Sequence, residues 1–391
     1  MNIPQGYKQT ELGIIPEDWE VTTIKQIADI TTGNKNTQDA EEGGKYPFYV
    51  RSQNVERINS YSNDCEGIVT AGDGVGTGKI FHYVRGKFGL HQRAYLIYNF
   101  KDFDSQYFYW YFSQYFYDRI NQMTAKSSVD SVRKEMIEDM CILRAPIAEQ
   151  SAIAEALSDV DGLIVALDKK IAKRRLLKQG AMQQLLTGKK RLPGFTDEWG
   201  TISLGDWATM NSGGTPTSSV PEYYNGHIPF LSISDITEAG KYINKTEKTI
   251  TEKGLNNSSA RMFPAGTIMY AMYASLGKCS IANIELSCSQ AILGITPKCR
   301  INPEYLYYYL SFKEEDVKDM GQTGTQSNLS KQIVQNFMVK LPSDNKEQQA
   351  IATILSDMDK EITDLEAQRD KYRLLKSGMM QKLLTGQIRL K

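Results

Sequence analysis

The sequence predicts an α+β protein made of two pseudo-symmetric mixed α/β domains, separated by two long helices packed as an antiparallel coiled coil. Three observations lead there. Residues 149–188 match residues 347–386 without a gap at 23 of 40 positions. Within each copy, apolar residues recur at helical heptad spacing. Ahead of each copy lies a stretch of more than 140 residues in which short alternating runs, glycine turns and one aromatic segment appear in the same order.

The repeat extends beyond the helices. At the same offset of 198, Gln92 falls on Gln290 and "YFYWYFS" from Tyr107 falls on "YLYYYLS" from Tyr305. Trp19 answers to Trp199 at an offset of 180, so the second copy carries 18 extra residues between those anchors. One repeat of this length gives two lobes, whereas periods near 20–50 residues give solenoids. The expected order is domain 1 at 1–147, helix 1 at 148–190, domain 2 at 191–345 and helix 2 at 346–391.

In the domains, strand-like runs pair off as "KYPFYVRS" with "HIPFLSIS", "GIVTAG" with "GTIMYAMY", and "RAYLIY" with "AILGIT". The aromatic segment is a core helix, with Tyr107, Phe108, Tyr111 and Phe112 on one face and Leu306, Tyr309 and Leu310 as their counterparts. In helix 1 the seam is Ile153, Leu157, Val160, Ile164, Leu167 and Ile171; in helix 2 it is Ile351, Leu355, Met358, Ile362 and Leu365. Such a seam needs a partner helix, and the other copy is the obvious one. Pro146 and Pro342 precede the helices, and Gly188 and Gly386 suit their C-terminal caps. At ~1.5 Å per residue each helix is on the order of 57 Å long. Gly180 and Gly378 inside them suggest close approach or a bend.

Composition narrows the function classes. With 46 basic and 46 acidic residues the formal charge is zero, so any nucleic-acid role rests on local basic faces. The opening "MNIPQGYKQTELG" has no apolar signal core, and no run approaches the ~18 apolar residues of a membrane span. Five cysteines form no CxxC, and the three histidines have no partner at metal-ligand spacing. Reduced thiols in a cytoplasmic protein without a zinc site are expected.

The polar loops carry the residue types that read base edges: Arg for guanine, Asn and Gln for adenine, Ser and Thr for either. "TTGNKN" holds Asn34 and Lys35, and the equivalent "SGGTPT" holds Ser212, Thr215 and Thr217. "RSQN", Arg51, Ser52, Gln53 and Asn54, pairs with "SISD", which holds Ser232 and Ser234. His91, Gln92 and Arg93 in "LHQRA" answer to Gln290; Lys79 answers to Lys278, which follows Tyr273. "TAKSSVDSV", with Lys126 and Ser127, pairs with "GQTGTQSNLS", with Thr325, Gln326 and Asn328. Backbone amides and lysines in glycine turns suit phosphates. The stretch Lys169–Arg191 has nine basic residues and no acid. It faces DNA, an acidic partner or solvent.

Two enzymatic motifs fail. "GDGVGTGK" lacks the first glycine and the Ser/Thr of a phosphate loop, and "NPEY" at Asn302 has Glu304 where an adenine methyltransferase motif has proline. No Ser-His-Asp set or carboxylate pair stands out. A self-contained DNA methyltransferase and a coiled-coil scaffold that does not touch DNA are the competing readings.

The chain resembles the specificity subunits of type I restriction-modification systems. The likeness is carried by "GYKQTELGIIPEDWEV" and its echo "PGFTDEW", by "PIAEQSAIAEALSDVD" and "KEQQAIATILSDMD", and by the two "LLTG" tails. It implies a non-catalytic subunit with two target-recognition domains, each reading half of a split double-stranded DNA site. It also implies helices that space the domains and dock two methyltransferase subunits. The broad apolar faces formed by Leu176, Leu177, Met182, Leu185 and Leu186, and by Leu374, Leu375, Met379, Leu383 and Leu384, are the expected partner surfaces. No cofactor belongs to this chain; S-adenosylmethionine, ATP and Mg are expected on the methyltransferase and motor-nuclease subunits.

Overall fold

The computed structural model describes residues 3–123, 131–298, 300–323 and 328–390. It divides into two compact units, one made of Met1–Asp168 with Ala367–Lys391 and the other of Lys169–Glu366. The division runs through both long helices, whereas the sequence places it between helix and domain. The reason is visible in each unit's core.

In the first unit six strands form one sheet, in the order Asp29–Thr32, Ala94–Tyr98, Asn63–Ala71, Phe81–Leu90, Tyr46–Tyr49 and Glu56–Ile58. All pairings are antiparallel except that of Tyr46–Tyr49 with Phe81–Leu90. The aromatic helix Ser105–Met123 buries Tyr107, Phe108, Trp110, Tyr111, Phe112 and Phe116, in the core role read from its spacing. The strand Cys141–Arg144 pairs with Glu20–Thr23 and leads directly into the first long helix, Ile147–Leu185.

The second unit repeats this plan with a broken sheet. Strands Cys279–Ala282 and Leu286–Cys288 take the place of one continuous strand, so a five-stranded and a four-stranded sheet form. Much of the extra length lies between Tyr224–Leu231 and Lys248–Ile250, where a helix, Ile233–Ala239, and a short strand, Tyr242–Ile243, are inserted. Met338–Pro342 pairs with Trp199–Ser203 before the second long helix, Asn345–Leu383.

Each unit's core takes apolar side chains from the start of one long helix and the end of the other. The first core holds Ile153, Ala154 and Leu157 with Met380, Leu383 and Leu384. The second holds Ile351, Ala352 and Leu355 with Leu185 and Leu186. Seam residues near the helix starts therefore serve the domain cores, and Ile164, Ile171 and Leu365 remain as buried seam farther along. Within each unit the helix segments run antiparallel. Glu149, Asp161 and Asp168 meet Arg389, Lys376 and Arg369 in descending order in the first unit. Glu347, Asp359 and Glu361 meet Arg191, Lys178 and Arg174 in the second. The Glu–Arg and Asp–Lys pairs occupy equivalent places in the two copies, so one register serves both units.

The helix ends follow local chemistry. Gly188 and Gly386 sit at φ 70° and 69°, a left-handed conformation that glycine adopts without strain. A Cβ added at Gly180 or Gly378 meets nothing within 4 Å, which corrects the close-approach reading of these two glycines. At the other end Gln150 is fully buried; its amide accepts from the Asp104 N–H and donates to the Ala145 carbonyl. Gln348 accepts from the Asn302 N–H and donates to the Pro342 carbonyl in the same way.

A buried polar cluster lies beside these glutamines. The Glu149 carboxylate is 4% exposed and accepts from Arg389 Nε and Nη2, both at 2.7 Å, from the Trp19 indole at 3.0 Å and from the Leu390 N–H. Glu347, 1% exposed, accepts from Arg191 Nε and Nη2, also at 2.7 Å, and from Trp199 at 3.2 Å. Burial raises the Glu149 pKa, but the hydrogen bonds from Arg389 and Trp19 and the arginine charge outweigh it and hold the carboxyl below its ordinary 4.5.

Arg389→Ala strands a buried charge and is expected to destabilise the first unit by on the order of 3–5 kcal/mol, read from denaturant midpoints. The group's folded pKa is depressed, so its stabilisation is complete above pH 4.5 and is lost as pH falls through the folded value. The stability gap between wild type and Glu149→Gln is expected to shrink over that acid range, and a gap independent of pH refutes the assignment.

Candidate nucleic-acid interface

In the first unit, backbone hydrogen bonds gather the predicted loops at one end of the sheet. The Lys35 N–H donates to the Leu90 carbonyl, His91 N–H to Tyr49, Gln92 N–H to Lys35 and Val132 N–H to Gly72. Side chains tie the loops further. Asp73 accepts from Arg51 Nη1 at 2.6 Å and from Arg93 Nη1 at 2.9 Å. Burial pushes the Asp73 pKa up, but the hydrogen bonds and charges of the two arginines bring it below the ordinary range, so the carboxylate stays ionised between two guanidinium groups. Gln92 Nε2 donates to Asn36 Oδ1 at 2.5 Å.

His91 corrects one expectation. It is 4% exposed; its Nδ1 accepts from the Arg93 N–H, which leaves the proton on Nε2 facing Thr37 Oγ1 at 3.3 Å. With both nitrogens used inside the fold, His91 braces the loops and offers nothing to a base edge. Burial and the neighbouring charge of Arg51 lower its pKa, consistent with a neutral ring. His82 plays a similar part, with Nε2 2.9 Å from the Ser52 carbonyl. Ser52 Oγ accepts from the Asn54 N–H, within a turn that leaves Gln53 and Asn54 exposed. Asn34 is exposed and Lys35 half-buried. Lys79 stands over the Tyr117 ring at 5.1 Å. Lys126 and Ser127 lie outside the described residues.

The second unit assembles its loops by equivalent bonds. The Gly213 N–H donates to Ile292, Gly214 N–H to Cys288, Ser289 N–H to Leu231 and Leu329 N–H to Met272. The last bond mirrors Val132 to Gly72, so Tyr273, 41% exposed, follows at the place that Asp73 occupies in the first unit. Thr215, Thr217, Gln290 and Asn328 are exposed, while Ser212 and Lys278 are half-buried. Ser232 caps the inserted helix and donates to Asp235 at 2.5 Å, with Ser234 2.8 Å away. Its hydroxyl is therefore engaged in the fold. Thr325 and Gln326 lie outside the described residues.

The expected partner surfaces shrink. Leu185, Leu186, Leu383 and Leu384 are at most 6% exposed because the helix ends complete the domain cores. They cannot present a docking face. Met182 and Met379 are half-buried against the same cores. Leu176 and Leu177 remain 68% and 45% exposed, and Leu374 and Leu375 remain 76% and 50% exposed.

The basic stretch Lys169–Arg191 is answered in part by its own chain. Arg174, Arg175, Lys178 and Arg191 pair with Glu361, Glu366, Asp359 and Glu347. Lys189 and Lys190 are exposed. Among the described residues, no group of three or more His, Cys, Asp or Glu side chains is placed to hold a metal ion, and no helix is long and apolar enough to cross a membrane.

Two separate stretches, residues 16–174 and 196–372, match the model of the type I restriction modification DNA specificity domain. The chain belongs to that family. It is 25% identical to the putative MjaX type I restriction enzyme specificity subunit of Methanocaldococcus jannaschii, over 99% of this chain and 97% of that one. It is 26% identical to the MjaVIII specificity subunit of the same organism, with the same coverage. The fold resembles that of a type I restriction-modification S subunit from M. genitalium, with a TM-score of 0.68 at 16% identity and 98% of each chain covered. The chain is thus a DNA specificity subunit of the type I kind, and catalysis is not its role. The self-contained methyltransferase and the scaffold without DNA contact gain no support.

What the sequence missed in this specificity subunit is the carboxylate that organises the arginines. Asp73 sits in a glycine-rich turn, and no local pattern links it to Arg51 or Arg93.

Replacing Lys189 and Lys190 together with alanine is expected to flatten the dependence of log affinity on log salt by roughly 2, measured on duplex binding. An unchanged slope refutes phosphate contact by this pair. Arg191 is unsuited to the same test, because its loss strands the buried Glu347 carboxylate.

Proposed function

We propose that this specificity subunit recognises a bipartite duplex, with each unit's loop cluster contacting one half-site and the length of the two long helices setting the unread spacer. The observation that carries this reading is the duplication itself. Equivalent backbone bonds gather equivalent loops in both units, while residues at matching places differ: Asp73 and Arg93 in one stand where Tyr273 and Ala291 stand in the other. One scaffold carrying two different polar surfaces suits two different half-sites. Phosphate contacts position such a protein and base-edge contacts specify the sequence. Asn34, Lys35, Ser52, Gln53, Asn54, Lys79, Gln92, Thr215, Thr217, Lys278 and Asn328 are proposed contacts on the same footing.

The chain works, in this reading, with two methyltransferase subunits that bind S-adenosylmethionine and with motor-nuclease subunits that use ATP and Mg, in the cytoplasm. A related fold, with a TM-score of 0.56 at 15% identity, comes from work on complex assembly of the type I system. The twin exposed leucine pairs, Leu176 with Leu177 and Leu374 with Leu375, sit at equivalent places in the repeat. Exposed leucines on a helix shoulder are costly in water and favour a protein partner, and two equivalent pairs suit two copies of one partner.

Replacing Leu176 and Leu177 with aspartate is expected to leave one bound methyltransferase subunit per chain, and replacing all four leucines to leave none, as measured by the mass of the purified complex. An unchanged mass removes these residues from the interface. Deleting the equivalent heptads Leu167–Lys173 and Leu365–Lys371 shortens both helices by roughly 10 Å, about 3 base pairs. Selection from duplexes with varied spacers is expected to show a preference shortened by that amount or a loss of binding; an unaltered spacer refutes the role of helix length.

A further inference from the structure

Beside Asp73 in the first unit lies an open cavity of about 350 Å³, lined by Arg51, Ser52, Glu56, Asp73 and Val75 among others. Three of its features point to a specific occupant. The Arg51 side chain is 37% exposed, and Asp73 holds one of its guanidinium nitrogens, so its direction is set; among the described residues its other N–H groups meet no acceptor. Glu56, at the edge strand of the six-stranded sheet, has a buried carboxylate oxygen, Oε2, with no hydrogen-bond partner among the described residues. Val75 is 99% exposed at the rim.

An unpaired buried carboxylate oxygen is costly and calls for a donor. A guanidinium fork calls for two neighbouring acceptors. In the major groove only a G·C pair presents both in that order: guanine N7 and O6 accept side by side, and the cytosine N4 amino group beside them donates. An A·T pair alternates acceptor and donor, and it leaves the second arm of the fork facing an amino group.

We propose that Arg51, oriented by Asp73, and Glu56 together read a single G·C base pair in the half-site contacted by the first unit, Arg51 taking guanine and Glu56 the cytosine amino group. Arg51 and Glu56 line the same cavity, so one base pair entering it meets both side chains. Asp73 is a positioning residue; Arg51 and Glu56 are the specificity-determining ones. This rests on the bipartite reading above.

The test uses the full chain co-expressed with its methyltransferase subunits and a pool of randomised duplexes, with the bound fraction sequenced. Wild type is expected to enrich G·C at one position of one half-site. Arg51→Gln is expected to weaken that preference by about 5- to 150-fold while other positions keep theirs. Glu56→Gln, which leaves the arginine–Asp73 contact intact, is expected to relax the same base pair. Equal weakening at every position identifies a merely structural brace and overturns the inference. Unchanged preferences, or effects of the two variants at different base pairs, overturn it as well. Each of those outcomes leaves the bipartite reading standing. A wild-type complex that enriches no sequence overturns the bipartite reading and this inference together.

Discussion

The Glu149 carboxylate, out of water between the Arg389 guanidinium and the Trp19 indole, joins the beginning of the chain, the start of one helix and the tail of the other. Glu347, Arg191 and Trp199 make the same join in the second unit. A buried carboxylate is tolerated only when its charge and lone pairs are matched, so the helix end that brings the arginine is obliged to stay. Around the polar join the apolar contacts follow: Leu383 and Leu384 enter one core, Leu185 and Leu186 the other. Each globular part is completed by a piece of chain that belongs, in sequence, to the opposite repeat.

That exchange explains why the helices kept their sequence while the domains diverged. A residue such as Leu186 packs in a core built by residues far from it, and Lys178 must meet Asp359 as Lys376 meets Asp161. A change in either helix is felt in both units. The loops at the sheet ends carry no such double duty. They hang on backbone hydrogen bonds, which are indifferent to side-chain identity, so the scaffold holds while the presented groups change.

The two loop clusters show how far that freedom reaches. In the first unit an ionised Asp73 draws two arginines together and His91 is spent inside as a neutral brace. In the second an inserted helix consumes Ser232 as its cap, and Tyr273 stands where the carboxylate was. A surface organised around an ionised carboxylate in one case and one without it, bearing Tyr273, Thr215 and Thr217 with Lys278, in the other arise from related strand plans.

The repeat, three strand-like runs in each domain, the aromatic core helix and the two long helices were legible in the sequence, because each is written in local periodicity: Tyr107 to Phe112 at helical spacing, Ile153 to Ile171 at heptad spacing; the order of the strands in the sheets was not. The polar loops were legible as candidates for the same reason, since turn residues mark themselves. What only the tertiary structure decided is which of these groups are spent on the fold. Leu185 and Leu384 read as exposed partner surface and proved to be core; His91 read as a contact and proved to be a brace; Arg191, in a basic stretch left open between DNA, an acidic partner and solvent, proved to neutralise Glu347. Asp73 and Glu56 gave no signal at all. Burial and pairing depend on side chains brought together from as far as 371 positions apart, as Asp18 and Arg389 are, and no local pattern records such a distance.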